Sequence, residues 1–173
     1  ISDNLNYPNY RINKNNELIE DNIIKNVEEI DGYSMIINKN YFSDNIFFDE
    51  KIFMYLENVD LCLRARKNNG KLFIIKNSKI HHLGAKAVDD KYSEEIELSR
   101  NWHWMWSKFY FNRKHRGILV SLFSGLISLL GNLIKYVIYL LTFNKKRNIY
   151  RMRILGIINA LLGRQSWYRP EIN

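Results

Sequence analysis

The chain has 173 residues, 46% of them apolar and 14% aromatic, with a formal charge of +8. That composition is ample for a core and excludes global disorder, collagen-like repeats and a disulfide-rich scaffold. The charge is unevenly placed: residues 1–100 carry 14 basic and 17 acidic side chains, net −3, and residues 101–173 carry 12 basic and one acidic, Glu171, net +11. A uniformly basic nucleic-acid coat is therefore excluded, and no nucleic-acid partner is expected.

Cys62 is the only cysteine and the four histidines are scattered, so neither an internal disulfide nor a zinc site can be assembled, and a reducing compartment fits best. The chain opens on Ile1 with an Asn-rich, charged stretch that lacks the apolar core of a signal peptide, and reads as the downstream piece of a longer polypeptide. The abundant Asn, Ile and Lys reflect nucleotide-composition bias rather than a prion-like tract.

Residues 1–26 are polar and turn-rich (YPNYRINKNN) and are expected as a loop or extended arm. VEEIDGYSMIIN (27–38) is a short apolar element broken at Asp31-Gly32, where glycine permits a bend or the close approach of a ligand. IFFDEKIFMYL (46–56) is aromatic, with Asp49 and Glu50 inside it, and its rings are expected to pack in a core. From Asn58, a good N-cap, a helix carries Asp60 in its first turn, Leu61, Cys62 and Ala65 on an apolar side, and Arg64, Arg66 and Lys67 near its end. Asn68-Asn69-Gly70 stops it, KLFIIK (71–76) reads as a strand, and a second short strand runs into His81-His82. Helix, turn and strand in this order suggest an α/β unit.

Residues 90–114 predict a longer helix, acidic at its start and basic at its end. Trp102, Trp106, Phe109 and Tyr110 share one face, which either covers the domain core or forms an interfacial aromatic belt. Residues 118–143 are an apolar run of 26 in which Asn132 and Lys135 alone are strongly polar, long enough to cross a bilayer core of about 30 Å. Ser121, Ser124, Gly125, Ser128, Gly131, Asn132, Lys135, Tyr139 and Thr142 recur at steps of three and four. They line one stripe of a helix that is otherwise Leu, Ile, Val and Phe, and such a stripe either packs on protein or faces water.

Cations bracket this run on both sides: Arg113, Lys114 and Arg116 precede it and Lys145, Lys146, Arg147, Arg151 and Arg153 follow. No positive-inside asymmetry orients a single span. ILGIINALLG (154–163) repeats the pattern at a length too short to cross. An in-plane or re-entrant hairpin on the cytoplasmic leaflet, binding membrane lipid through 113–165, is the expectation; one transmembrane helix at 118–143 is the alternative.

The ionisable groups that could carry chemistry are Asp49, Glu50, Glu57, Asp60, His81 and His82. A carboxylate at a strand-to-helix junction, such as Glu57, can accept a proton from a hydroxyl, and a strand-end histidine can ligate a divalent cation. Either type also occurs as an ordinary helix-start charge or a structural hydrogen-bonding group.

DGYSMIINKNYF (31–42) and FFDEKIFMYLENVDLCLRARKNNGKLFIIKNSKIHHLGAK (47–86), in that order, resemble the C-terminal half of the catalytic domain of family 2 glycosyltransferases, especially the rhamnosyltransferase-like branch. RNWHWMWSKFYFNRKHRG and the terminal GRQSWYRP extend the resemblance more weakly. The resemblance implies an α/β class: the C-terminal portion of a GT-A domain over 1–88, an aromatic amphipathic helix over 89–116, and an α-helical membrane-associated tail over 117–173.

It also implies inverting transfer of a sugar, rhamnose being one candidate, from a nucleotide-sugar donor to a hydroxyl of a glycan or lipid-linked acceptor. A carboxylate serves as base, and Mg²⁺ or Mn²⁺, bound mainly by the upstream half, neutralises the leaving group. By position, Gly32 matches the glycine near donor and acceptor, Asp49 and Glu50 the acidic pair on the acceptor side, Arg64 the helix arginine, and His82, or alternatively His81, the metal-holding histidine.

Glu57 and Asn58 occupy the family's acidic dyad. Its second member, usually the base, is an amide here that cannot take a proton, which leaves Glu57, with Asp60 nearby, as the candidate base. The chain contains no Asp-x-Asp, so by itself it is expected to be inactive. A membrane-associated interaction domain that keeps the GT-A fold without catalysis is the alternative reading.

Overall fold

A computed structural model describes residues 10–12, 18–42, 47–75, 78–81 and 89–170. The chain divides into two compact units, the first built from 1–48 and 58–83, the second from 49–57 and 84–173.

In the first unit, strands β1 (Tyr10–Ile12), β2 (Leu18–Val27) and β3 (Leu72–Ile75) form an antiparallel sheet in the order β1-β2-β3. Ile24 pairs with Ile75 and Val27 with Leu72. Two strands thus lie where a polar arm was expected. β2 pairs with β3, almost fifty residues downstream, and β1 pairs back on β2, so partners rather than local propensity set these strands. No parallel pair occurs among the described residues, and Ser78–His81 is not a strand. Val27 ends β2, and residues 28–38 form no regular element apart from a turn at Gly32 and Tyr33.

Helix α1 (Glu57–Lys67) starts one residue before the expected cap. Leu61 and Ala65 pack with Phe42 into a small core that Met35, Ile37, Phe47 and Leu72 border. The helix ends in a Schellman motif, with Gly70 N–H donating to Ala65 O (2.8 Å) and Asn69 N–H to Arg66 O (3.0 Å). Asn69, at φ 61°, takes the left-handed position that such a motif requires.

The second unit is helical: α2 (Ser93–Arg116), α3 (Ile118–Leu141) and α4 (Arg147–Leu161). They pack together within this unit, which also takes in residues 49–57. A single residue joins α2 to α3: Gly117 holds φ at +88°, a conformation that side-chain-bearing residues rarely adopt.

Trp102, Trp106, Phe109, Met152 and Ala160 form the core of this unit. Trp102 is 1% exposed and Trp106 3%, so these rings are core and not an interfacial belt. The reason is Gly156 of α4, which lets that helix approach so closely that a Cβ there would lie 2.3 Å from the Trp102 carbonyl oxygen. α3 and α4 form a hairpin in which Tyr139 stacks on Tyr150, 5.3 Å between centroids.

Candidate functional site

Tyr55-Leu56-Glu57 is the most strained stretch among the described residues. Tyr55 and Leu56 hold φ at 69° and 67°, two consecutive bulky residues in the left-handed region, directly before the first residue of α1. Such conformations cost about 1–3 kcal/mol each and persist where the surroundings over-determine them, often at functional sites. The turn delivers Glu57 with its Oε2 buried and, among the described residues, without a hydrogen-bond partner. A buried, unsatisfied carboxylate oxygen is rare in a native fold and calls for a reason beyond stability.

The neighbouring Tyr55 packs edge-on against Trp104, 5.5 Å between centroids. Burial pushes its hydroxyl pKa up; the charge of Arg100 opposes this and that of Glu57 adds to it.

The residues around Glu57 in sequence are committed elsewhere. Asp60 is fully buried, and Arg64 Nε donates to its Oδ2 at 2.8 Å, while Arg64 Nη2 donates to the Phe47 carbonyl. Asp60 is thus an ion-paired anchor that orients Arg64, not a second free base. Asn58 Nδ2 donates to the Ile30 carbonyl at 2.7 Å. A carboxylate at this position would face that carbonyl oxygen without a proton to share, so the amide makes a bond that an ionised Asp could not. It ties the start of α1 to the segment just before Asp31 and Gly32. Gly32 itself is exposed in its turn and is not in the left-handed region.

Asp49, expected on the acceptor side, accepts from Tyr110 Oη (2.9 Å) and Lys114 Nζ (2.7 Å) through Oδ2, and from Lys51 N–H (3.1 Å) through Oδ1. Burial pulls its pKa up, but the bonds from Lys114, Lys51 and Tyr110 outweigh it and leave the carboxyl below its ordinary 3.8. Its acceptor capacity is used to fasten the 49–57 segment to α2. Glu50 is exposed beside it.

His81 is exposed, and His82 lies outside the described residues. Among the described residues no three His, Cys, Asp or Glu converge on a point that could hold a cation. The described residues therefore provide no ligand set for the Mg²⁺ or Mn²⁺ that the resemblance implies, and no step is routed through it.

A groove of about 1080 Å³ in the first unit is lined by Ile30, Met35, Phe42, Leu61, Cys62 and Leu72, among others, and by none of Glu57, Asn58 or Asp60. Burial raises the Cys62 thiol pKa, with a backbone bond to Ile30 opposing it, so this residue acts as a small hydrophobe.

A second constellation escaped sequence reasoning. His103, fully buried on α2, has Nε2 2.8 Å from the Tyr168 carbonyl and Nδ1 2.8 Å from Ser166 Oγ. A carbonyl can only accept, so Nε2 carries the proton, and Nδ1 accepts from the serine hydroxyl. Trp106 Nε1 donates to the Arg164 carbonyl and Trp167 Nε1 to Asn159 Oδ1. Arg169 lies 3.5 Å above the ring of Phe53, which itself packs against His103. The two motifs quoted last in the resemblance, NWHWMW and GRQSWYRP, are therefore two halves of one clamp. The co-occurrence of His and Trp on one side with Ser, Trp and Arg on the other was its only sequence signal.

Among the described residues one helix, Ile118–Leu141, is long and apolar enough to span a membrane. Compared with protein-family models, with curated proteins and with solved structures, the chain matches none.

Proposed function

We propose that this chain is the C-terminal part of a GT-A glycosyltransferase resembling family 2, in which Glu57 is the general base. Its full-length form transfers a sugar from a nucleotide-sugar donor to a hydroxyl of a glycan or lipid-linked acceptor in cell-surface polysaccharide synthesis. The observation that carries this reading is the Glu57 carboxylate, buried at Oε2 without a partner among the described residues and delivered by two left-handed residues. In the reaction, Glu57 accepts the proton of the acceptor hydroxyl as its oxygen attacks the anomeric carbon, and the nucleotide diphosphate departs from the opposite face, inverting the centre. The chain associates with the cytoplasmic face of the bacterial inner membrane as a peripheral, monotopic protein through 113–165, which would bring a lipid-linked acceptor to the site.

Glu57→Gln in the full-length enzyme is expected to lower kcat at least about 100-fold with KM for the donor little changed. Turnover at the wild-type rate would remove Glu57 from the mechanism.

A second reading, a non-catalytic interaction domain, is favoured by the structural use of Asn58 and Asp60. It predicts no donor-dependent transfer by the full-length protein, whichever residue occupies position 57.

A further inference from the structure

Helix α3 is inverted relative to an ordinary surface helix. Its buried residues are Ser121, Gly125 and Asn132, with Ser124 and Ser128 half-buried beside them. These small and polar side chains meet α2 and α4: a Cβ on Gly125 would lie 2.9 Å from the Phe109 ring, and Asn112 Nδ2 donates to Ser124 Oγ at 3.4 Å. Ser121, Ser124 and Asn132 satisfy their side chains on carbonyls within α3 itself. The opposite face, covering roughly 200° of the circumference at 100° per residue, is bare. It carries Leu119 (79% exposed), Phe123 (70%), Leu126, Leu130, Ile134 and Leu141. A continuous apolar surface of this extent marks a lipid or protein contact.

The neighbours of α3 decide between crossing a bilayer and lying in one. α2 covers its first half at Ser124 and Gly125, and α4 covers its second, where Tyr150 stacks on Tyr139 and lies 5.6 Å beneath the Lys135 ammonium. An upright α3 would carry these helices into the hydrocarbon together with the exposed cations Lys108, Lys135 and Arg151, which are costly at that depth. Laid flat, α3 sinks only its bare face and keeps α2 and α4 toward water. Its ends, bracketed by exposed Arg113 and Arg116 on one side and Lys145 and Lys146 on the other, then meet the same layer of headgroups.

We infer that α3 lies in the plane of an anionic phospholipid bilayer, with Leu119, Phe123, Leu126, Leu130, Ile134 and Leu141 in the outer acyl region and the terminal cations on headgroup phosphates. This rests on the membrane half of the proposed function and is independent of glycosyl transfer.

The test uses the whole chain with vesicles of phosphatidylcholine, with and without phosphatidylglycerol. Flotation with the anionic vesicles is expected, reduced about 30-fold in affinity by Lys145→Gln with Lys146→Gln, at about fivefold per cation, and abolished by Phe123→Glu with Leu130→Glu. Both glutamates replace exposed residues, and an unchanged circular-dichroism melt establishes that the fold survives. After reconstitution from detergent, a membrane-impermeant maleimide added outside is expected to label Arg116→Cys and Lys145→Cys to the same extent, with buried Cys62 silent in the wild type. Protection of one end alone makes α3 a span and overturns the in-plane geometry while leaving membrane association standing. Absence of flotation, or a stable dimer in buffer that excludes vesicles, overturns lipid as the occupant, the latter in favour of a second copy of the chain; neither result touches the assignment of Glu57.

Discussion

Helices α2 and α3 have the same length, 24 residues each, and opposite burial. α2 is rich in charge and hides its aromatic residues, Trp102, Trp106 and Phe109, with hydrogen-bonded His103 and Ser107 among them. α3 is mostly aliphatic and hides Ser121, Gly125 and Asn132. The first pattern is what water selects, since apolar area is withdrawn and polar groups are paired on the way. The second makes sense where the medium outside is more apolar than the neighbouring protein, and small residues then serve to bring helices close. On the in-plane reading proposed above, two adjacent helices joined by one glycine meet different solvents.

That contrast makes graded predictions. The largest effect belongs to α2: Trp102→Ala should cost about 4 kcal/mol, read by chemical denaturation, since Trp102 stacks on Tyr168 and contacts Trp167 edge-on. Next is Gly156→Ala, whose methyl would strike the Trp102 carbonyl, a backbone atom that cannot step aside. About 3 kcal/mol, with loss of near-ultraviolet dichroism, is expected. Gly125→Ala meets instead the edge of the Phe109 ring at 2.9 Å, which can rotate slightly, and about 1 kcal/mol is expected from the same measurement.

A smaller effect is the acid sensitivity of the clamp. Burial lowers the His103 pKa from 6.5, opposed by the bond to Tyr168 and assisted by the charge of Arg169. A histidine depressed in the native state is protonated first in the unfolded chain, so its contribution is complete above about pH 6.5 and declines as pH falls through that value toward the native pKa. His103→Gln should flatten the dependence of stability on pH in that window. Asp49, also depressed, loses its contribution only below about pH 3.8. Smallest is Phe123→Ser on the outer face of α3: in vesicle-free buffer, stability should change by no more than about 0.5 kcal/mol, whereas vesicle binding should weaken. A loss as large as that of Trp102→Ala would mean that α3 is buried as α2 is.

Much of this was legible in the residues. The sequence pattern placed α1, α2 and α3 within a few residues of their observed bounds but α4 only over its second half, because the basic turns from Arg147 to Arg153 interrupt the apolar run, and it singled out the stripe from Ser121 to Asn132 on α3. Periodicity could not say whether that stripe meets protein or water, because small polar side chains serve both; the approach of Phe109 to Gly125 answers it. The strands β1 and β2 were hidden in an Asn-rich stretch because a strand is decided by its partners: β2 lies on the distant β3, and β1 on β2. The clamp was hidden because His103 and Ser166 are 63 residues apart in sequence. At the candidate site, Glu57 was singled out by its place before a helix, but its unpaired oxygen, the twin left-handed residues before it and the engagement of Asn58 by Ile30 belong to three dimensions.

The central claim, that the bare face of α3 meets lipid along its whole length, is tested most directly by spin labels placed singly at Leu119, Phe123, Leu130, Ile134 and Leu141 in the vesicle-bound chain. Oxygen and nickel-chelate accessibility then reports the depth of each label. The account predicts one shallow depth shared by all five positions. A profile that deepens from Leu119 to Leu130 and becomes shallow again at Leu141 would contradict it and make α3 a transmembrane helix.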